Sequence, residues 1–256
     1  MTESVPKIGR TDAAYEALRA KILRNDIRPG EHVKIEQVAR ELNISQTPVR
    51  EALARLEADG LLAKTRFRGY TATPILSDAE FEQLFEFRQL IEPWAAGHAA
   101  RNAGPSSSAL SDELDRIAGE VRGVGADIER ERPDEVYSLL SDHDVRFHAL
   151  VSQLSGNRHV ADSYDAMHCH MHLFRNYLAA RAAVAAEGPD ELARFDGQYT
   201  TQRAALETTN EHRAISAAII AGDEERAARE MRAHVSRAEG LARVRMAIVA
   251  AATRAD

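Results

Sequence analysis

A chain of 256 residues, 44% of them hydrophobic, is long enough to bury a sizeable core and exceeds the usual length of one small domain. A single cysteine, Cys169, excludes an intramolecular disulfide framework; no apolar run approaches the length of a membrane span and no signal-peptide pattern opens the chain, so a cytoplasmic protein without membrane contact is expected. The net charge of −7 is unevenly spread: residues 1–76 hold 13 Lys+Arg against 10 Asp+Glu, and the remaining 180 hold 20 against 30, which confines any nucleic-acid role to the N-terminal part.

Residues 36–55, EQVARELNISQTPVREALAR, predict two short helices joined by a tight turn. Val38, Ala39 and Leu42 share one face of the first helix, and Asn43 stands where a left-handed residue would end it. Ser45 or Thr47 can cap the second helix, Pro48 suits its first turn, and Val49, Leu53 and Leu56 repeat at i, i+4, i+7 toward a core. Gln46, Thr47 and Arg50 are left facing outward at its N-terminal end, where a helix-turn-helix meets the major groove. Leu61 and Leu62 then begin a strand, Lys64 to Gly69 form a basic turn, and Tyr70 to Thr73 have the composition of a returning strand. This predicts a wing in which Arg66 and Arg68 reach a phosphate or a minor groove and Gly69 takes a positive φ. A solvated basic hairpin is the alternative.

The run from Ile27 to Tyr70 resembles the N-terminal winged helix-turn-helix of GntR-type bacterial transcription regulators. PG precedes the first of the paired helices, S-x-T-P-V-R-E-A-L enters the recognition helix, and E-x-x-G-L-L precedes an R-G-Y wing. The resemblance covers about residues 11–75 and implies double-stranded operator DNA as partner, with Ser45, Gln46, Thr47, Arg50, Arg66, Arg68 and Gly69 at the interface. Gln46 stands where many relatives carry Arg or Lys, replacing a guanine-reading cation with an adenine-compatible amide.

A boundary is expected at residue 76, giving domains 1–76 and 77–256. Ser77-Asp78-Ala79-Glu80 has capping-box spacing, and helical periodicity runs on from there with no convincing strand. The spacing predicts helices over 78–102, 109–130, 133–155, 158–183, 199–221 and 224–252, with a loop at Gly104–Ser108 and a longer connection from Gly188-Pro189 to about Gly197. The predicted fold class is mostly α: a winged helix-turn-helix followed by an all-α bundle.

Asp144 and His148 are four apart, hence on one helix face and close enough to bind one ion. His212 and His234 flank the Gly222-Asp223 turn at nearly equal distances, so at about 1.5 Å per residue they stand at the same height on antiparallel helices. One carboxylate and three imidazoles suit a divalent first-row metal such as Zn, Ni, Fe or Mn, one per chain. Four unrelated, solvated polar side chains are the alternative, and the level pairing of His212 with His234 favours the metal. His170 points away from His168 and His172 on a continuous helix, so the HCHMH run is not by itself a three-histidine site.

The same region resembles the all-helical effector domain, FCD, of the FadR branch of GntR regulators. The carrying motifs are D-x-x-F-H at Asp144–His148, S-G-N at Ser155–Asn157, E-H-x-x-I at Glu211–Ile215 and G-D followed by M-x-x-H up to His234. The resemblance implies Asp144, His148, His212 and His234 as metal ligands, and an effector-pocket arginine at Arg88 in E-x-R-x-x-I-E-P. Spacing alone leaves Arg88 open between an anionic effector and Glu92 one turn on. Likewise His168, His172 and Arg175, at i, i+4, i+7, line either an effector cavity or a polar surface. The expectation is a homodimeric, non-enzymatic regulator whose binding to a palindromic operator is controlled by a small organic acid at the metal, acting as a repressor. A metal sensor and a metalloenzyme fused to a DNA-binding module are the rivals.

Overall fold

The computed structural model describes residues 9–23, 26–65, 69–102, 108–113, 115–116, 133–199 and 202–255. It divides between Ile75 and Leu76 into two compact units.

In the first unit, α1 (Arg10–Leu23) presents Ala14, Leu18 and Ile22 on one stripe to the core. After β1 (His32–Val33), α2 (Ile35–Glu41) ends at Asn43, whose φ of 52° makes the left-handed turn that the sequence anticipates. The recognition helix α3 (Gln46–Ala58) buries Val49, Ala52, Leu53 and Leu56. Its outer side is tied to α1 through Thr11–Glu51, Arg55–Asp12 and Tyr15–Asp59. Strands β2 (Leu62–Thr65) and β3 (Gly69–Ala72) form the wing, and β1 adds to β3 to give an antiparallel sheet in the order β1-β3-β2. Val33 pairs with Tyr70 and Lys64 pairs with Tyr70 from the other side. Gly69 has a φ of 78°, and a Cβ there would lie 3.0 Å from the His32 ring, so both conformation and space favour glycine.

The second unit is helical. Its first helix, α4 (Asp78–Arg101), starts from the expected capping box: the Ser77 N–H donates to Glu80 Oε2, and Ser77 Oγ accepts from the Glu80 N–H. Residues 108–113 and 115–116 are helical, and the rest of the helix expected over 109–130 lies outside the described residues. Then follow α5 (Pro133–Leu154), α6 (Arg158–Ala166), α7 (Cys169–Glu187), α8 (Pro189–Tyr199), α9 (Gln202–Ile220) and α10 (Glu224–Ala255).

Two expectations are corrected here. The single helix expected over 158–183 is broken, because His168 adopts a left-handed conformation (φ 46°, ψ 33°) between α6 and α7. The connection expected after Gly188 is the helix α8. Proline is at home in a first helical turn, where its missing N–H is not needed, and Asp190 and Glu191 complement the positive N-terminal end.

Helix α4 packs most extensively on α10. Gly97 permits this approach, since a Cβ there would come within 3.3 Å of the Glu224 carbonyl oxygen. Phe81, Phe85, Phe147, Val151, Ile215, Met231 and Val235 form the core between α4, α5, α9 and α10. A smaller cluster of Tyr177, Ala180, Val184 and Phe195 with Tyr137 lies between α5, α7 and α8. Among the described residues, no helix is long and apolar enough to cross a membrane.

Candidate functional site

At the start of α3, Ser45 occupies the N-cap position without a side-chain cap bond, and Gln46, Thr47 and Arg50 are exposed. Arg50 Nη2 donates to Gln46 Oε1 at 3.4 Å, which joins the two longest side chains of this face. Gly69 lies at the start of β3, while Arg66 and Arg68 lie outside the described residues. This face offers hydrogen-bonding groups and a fixed cation at a helix N-terminus, the combination that suits phosphates and base edges.

In the helical unit, α5 carries Asp144 and His148, α9 carries His212 and α10 carries His234. One ligand atom from each lies within 4.8 Å of all the others. Nε2 of His148 stands 3.0 Å from Nε2 of His234, which is 3.4 Å from Nε2 of His212. Asp144 Oδ1 lies 3.2 Å from His212 Nε2 and 3.7 Å from His148 Nε2. Ligands about 2.1 Å from one ion stand roughly 3.0 to 3.4 Å apart in octahedral or tetrahedral arrangements, so three of these spacings fit a shared cation directly and the His148–Asp144 separation is slightly wide of it.

The other ring nitrogens show which lone pairs face inward. His148 Nδ1 lies 2.7 Å from Glu92 Oε2, off the ideal donor direction, and His234 Nδ1 lies 2.7 Å from Glu211 Oε2. Carboxylates accept, so each Nδ1 carries the proton and each Nε2 turns a lone pair into the cluster. His212 Nδ1 is 2.8 Å from His143 Nε2, and His143 Nδ1 faces Glu113 Oε1 at 3.5 Å. The same logic makes His212 the donor in that pair. Three imidazole lone pairs and a carboxylate oxygen thus converge, and Asp144 Oδ1 is buried with no hydrogen-bond donor among the described residues. Such a set is mutually repulsive and costly to bury unless a cation lies between its members.

Electrostatics keep the set ready for a metal. Burial pushes His148 down to about 4, against the opposing pull of Glu92, and burial likewise lowers His143, His212 and His234. The imidazoles are therefore neutral at pH 7, as ligands must be. Burial disfavours the Asp144 anion, but the His170 ring outweighs it and holds the carboxyl well below the usual range. His170 Nδ1 lies 3.0 Å from Asp144 Oδ2, and its Nε2 meets the Tyr164 hydroxyl, so Oδ2 is anchored while Oδ1 faces the imidazoles.

The four expected metal residues come together in one cluster; the four expected effector residues lie outside it. Arg88 is fully buried and bound by Glu92, one turn on, through Nε and Nη2, while its Nη1 has no hydrogen-bond partner among the described residues. The chain Arg88–Glu92–His148 makes it a support of the histidine cluster. A cavity of about 440 Å³ opens beside the cluster, with Asp144, His170 and His234 on its wall, and none of Arg88, His168, His172 or Arg175 lines it. His170 and Leu173 are the residues of α7 that line this cavity. His172 instead senses Arg175, His168 and Glu80, and burial lowers it to about 4; burial also lowers Arg175, to about 10. Sequence reasoning missed the outer partners Glu92, Glu211 and His143. Glu211 directly precedes His212 in the quoted motif, and that adjacency was the available signal.

Residues 10–71 match the family described as bacterial regulatory proteins, gntR family, and residues 83–237 match the FCD domain. An HTH-type transcriptional regulator from the TAR-I ttuE-ttuC′ intergenic region of Agrobacterium vitis is 38% identical over 103 residues, 40% of this chain and 60% of that protein. This chain therefore matches less than two thirds of that relative's length. The HTH-type transcriptional repressor RspR of Escherichia coli is 29% identical over 141 residues, 55% of this chain and 57% of RspR. Among solved structures, Listeria monocytogenes Lar superposes with a TM-score of 0.62 at 17% identity, covering 94% of this chain and 98% of Lar. Escherichia coli McbR/YncC follows at 0.57 and 17%, covering 92% and 98%; both likenesses concern the fold alone.

Proposed function

Because this chain belongs to the gntR family of bacterial regulatory proteins and is a DNA-binding transcription regulator with an FCD domain, not an enzyme, we propose that a small organic acid bound at a metal controls its operator affinity. One divalent first-row ion, Zn, Ni, Fe or Mn, is held by Asp144, His148, His212 and His234. The observation that carries this reading is the convergence of three Nε2 lone pairs on an orphaned carboxylate oxygen. Four protein ligands leave open positions on a six-coordinate ion, and the adjoining cavity gives an acid access to them.

Ser45, Gln46, Thr47 and Arg50 on α3, with Arg66, Arg68 and Gly69 from the wing, contact the operator. The protein acts as a homodimer on a palindrome, since two-fold protein symmetry matches two half-sites. Phe87, Leu90 and Trp94 support the dimer: at i, i+3, i+7 they form an exposed apolar stripe on α4, and Leu90 is 73% exposed. The named repressor among the relatives supports a repressor role, and in this reading the acid relieves the repression.

The test combines elemental analysis with operator binding by anisotropy. Protein purified without chelator should carry close to one metal per chain, and His212→Ala or His234→Ala should lose it. Acid should change operator affinity only in the metal-loaded form. A full response to metal alone would favour the metal sensor; equal metal in all variants would sink the four-ligand site.

A further inference from the structure

We propose that His170, set by Tyr164, holds back one oxygen of Asp144, so that this carboxylate gives the ion a single oxygen and leaves room on it for a chelating acid. The proposal rests on the acid-and-metal reading above and gives a role to the middle histidine of the HCHMH run.

Asp144 divides its oxygens between two neighbourhoods. Oδ1 stands 3.2 Å from His212 Nε2 and 3.7 Å from His148 Nε2 and has no hydrogen-bond donor among the described residues, whereas Oδ2 stands 3.0 Å from His170 Nδ1. A carboxylate can bind a cation through one oxygen or through both. An N–H aimed at Oδ2 occupies a lone pair and fixes the rotation of the whole group, which keeps Oδ1 as the oxygen turned to the cluster.

Tyr164 makes His170 a donor at that atom. Its hydroxyl meets His170 Nε2, and burial raises the phenol well above its ordinary range, so it keeps its proton and offers it to the ring nitrogen's lone pair. Accepting at Nε2, the ring carries its own proton on Nδ1, toward Asp144. Tyr164 on α6 and His170 on α7 are 4% and 6% exposed, and the Tyr164 ring lies nearly parallel to that of His148, 6.1 Å between centroids, so packing holds the pair in place. His170 stands on the cavity wall, yet both its nitrogens are engaged, so it acts on an acid through Asp144.

Four protein ligand atoms leave about two positions on a six-coordinate ion. An acid with two oxygens in reach, both of one carboxylate or a carboxylate and a 2-hydroxyl, can fill them. A second oxygen from Asp144 would take one of them away. His170 and Tyr164 are thus positioning residues that set how many bonds the acid makes.

The full chain, stripped of metal and reloaded with Mn(II), tests this by water-proton relaxation, which counts exchangeable water positions on the ion, and by calorimetry with glycolate. Wild type should hold close to one Mn(II) per chain with about two water positions. His170→Phe should keep the metal, lose about one water position and bind glycolate at least about tenfold more weakly, the size of effect usual for removing a ligand's outer partner. His170→Asn, whose amide N–H can still reach Oδ2, should restore both readings. Tyr164→Phe keeps the His170 ring and frees its tautomer, so it should move both readings the same way by less, and it carries the test if the Phe variant at 170 does not fold. The water count decides alone if wild type does not bind glycolate. Wild-type readings in His170→Phe overturn the proposal, and so does loss of metal from that variant, which would mean that His170 holds Asp144 in place as a whole. Either result leaves the four-ligand site standing, whereas wild-type protein that takes up no metal removes that site and this proposal together.

Discussion

The two units of this chain bury different chemistry. Among the described residues, the N-terminal unit buries apolar side chains and keeps its polar groups outside, whereas every buried polar or charged side chain, from Arg88 to Arg245, belongs to the C-terminal unit. A DNA-reading surface needs only a firm scaffold beneath an exposed face, so its core can be purely aliphatic and aromatic. A ligand-holding interior must take carboxylates and imidazoles out of water, which is tolerable only when each meets a partner. Stability and function are thus separable in the first unit and entangled in the second.

The largest expected effect breaks that entanglement at Glu92. Glu92→Ala removes the partner of a fully buried guanidinium and of His148 Nδ1 at once. It should destabilise the second unit by about 3 to 5 kcal/mol in urea unfolding, the cost of leaving a buried charge alone. In the first unit Asp12→Ala cuts a comparable but solvent-exposed pair with Arg55, and its midpoint should hardly move. Similar losses in both variants would erase the contrast.

Acid should act on the same asymmetry. Burial holds His148 in the folded protein at about 4, below the ordinary 6.5, so the unfolded chain takes up the proton first. In metal-free protein its contribution is fully present above pH 6.5 and is lost as pH falls toward 4, about 3 kcal/mol in total. His212 and His234, also lowered, add losses of the same sign. Urea midpoints at several pH values, with and without metal, measure this; a flat profile for the metal-free form between pH 6.5 and 4.5 would contradict it.

What the sequence disclosed follows the range of the interactions. The recognition helix was readable because Val49, Leu53 and Leu56 repeat locally, and the turn was readable because Asn43 tolerates the left-handed region. The convergence of Asp144, His148, His212 and His234 was readable from i, i+4 spacing and from two histidines equidistant from a turn. The charges that support it were not, because Glu92 and His148 are 56 positions apart and nothing local links them. The left-handed His168 was also hidden, since histidine sits as readily inside a helix. The residues of α7 on the wall of the cavity beside the cluster are His170 and Leu173, and His168, His172 and Arg175 are not among its lining. At Gly188-Pro189 the signal existed and was misread: proline followed by two acids opens a helix as well as it ends one.

A smaller effect sharpens the comparison within the second unit. Glu211 is part exposed and holds His234 Nδ1, so Glu211→Gln should cost little stability yet loosen the tautomer and orientation of a ligand. Metal affinity measured against a competing chelator should fall about 10- to 100-fold, the usual effect of removing a ligand's outer carboxylate. Unchanged affinity would mean that His234 is held by packing alone.

The smallest expected effect belongs to the recognition face, where a functional loss should come with no structural one. Arg50 is exposed on α3, and its described side-chain hydrogen bond is to Gln46, its neighbour one turn back. Arg50→Ala should leave thermal unfolding and metal content as they are. Operator binding should weaken by about 1 kcal/mol or more, and if Arg50 contacts a phosphate, the salt dependence of binding should lose about one unit of slope. If it reads a base instead, the loss should fall on one operator position and the slope should stay. Anisotropy titrations at three salt concentrations, against the operator and single-base variants, separate these outcomes. Wild-type affinity throughout would take Arg50 off the interface and leave Gln46 and Thr47 to carry the reading from this helix.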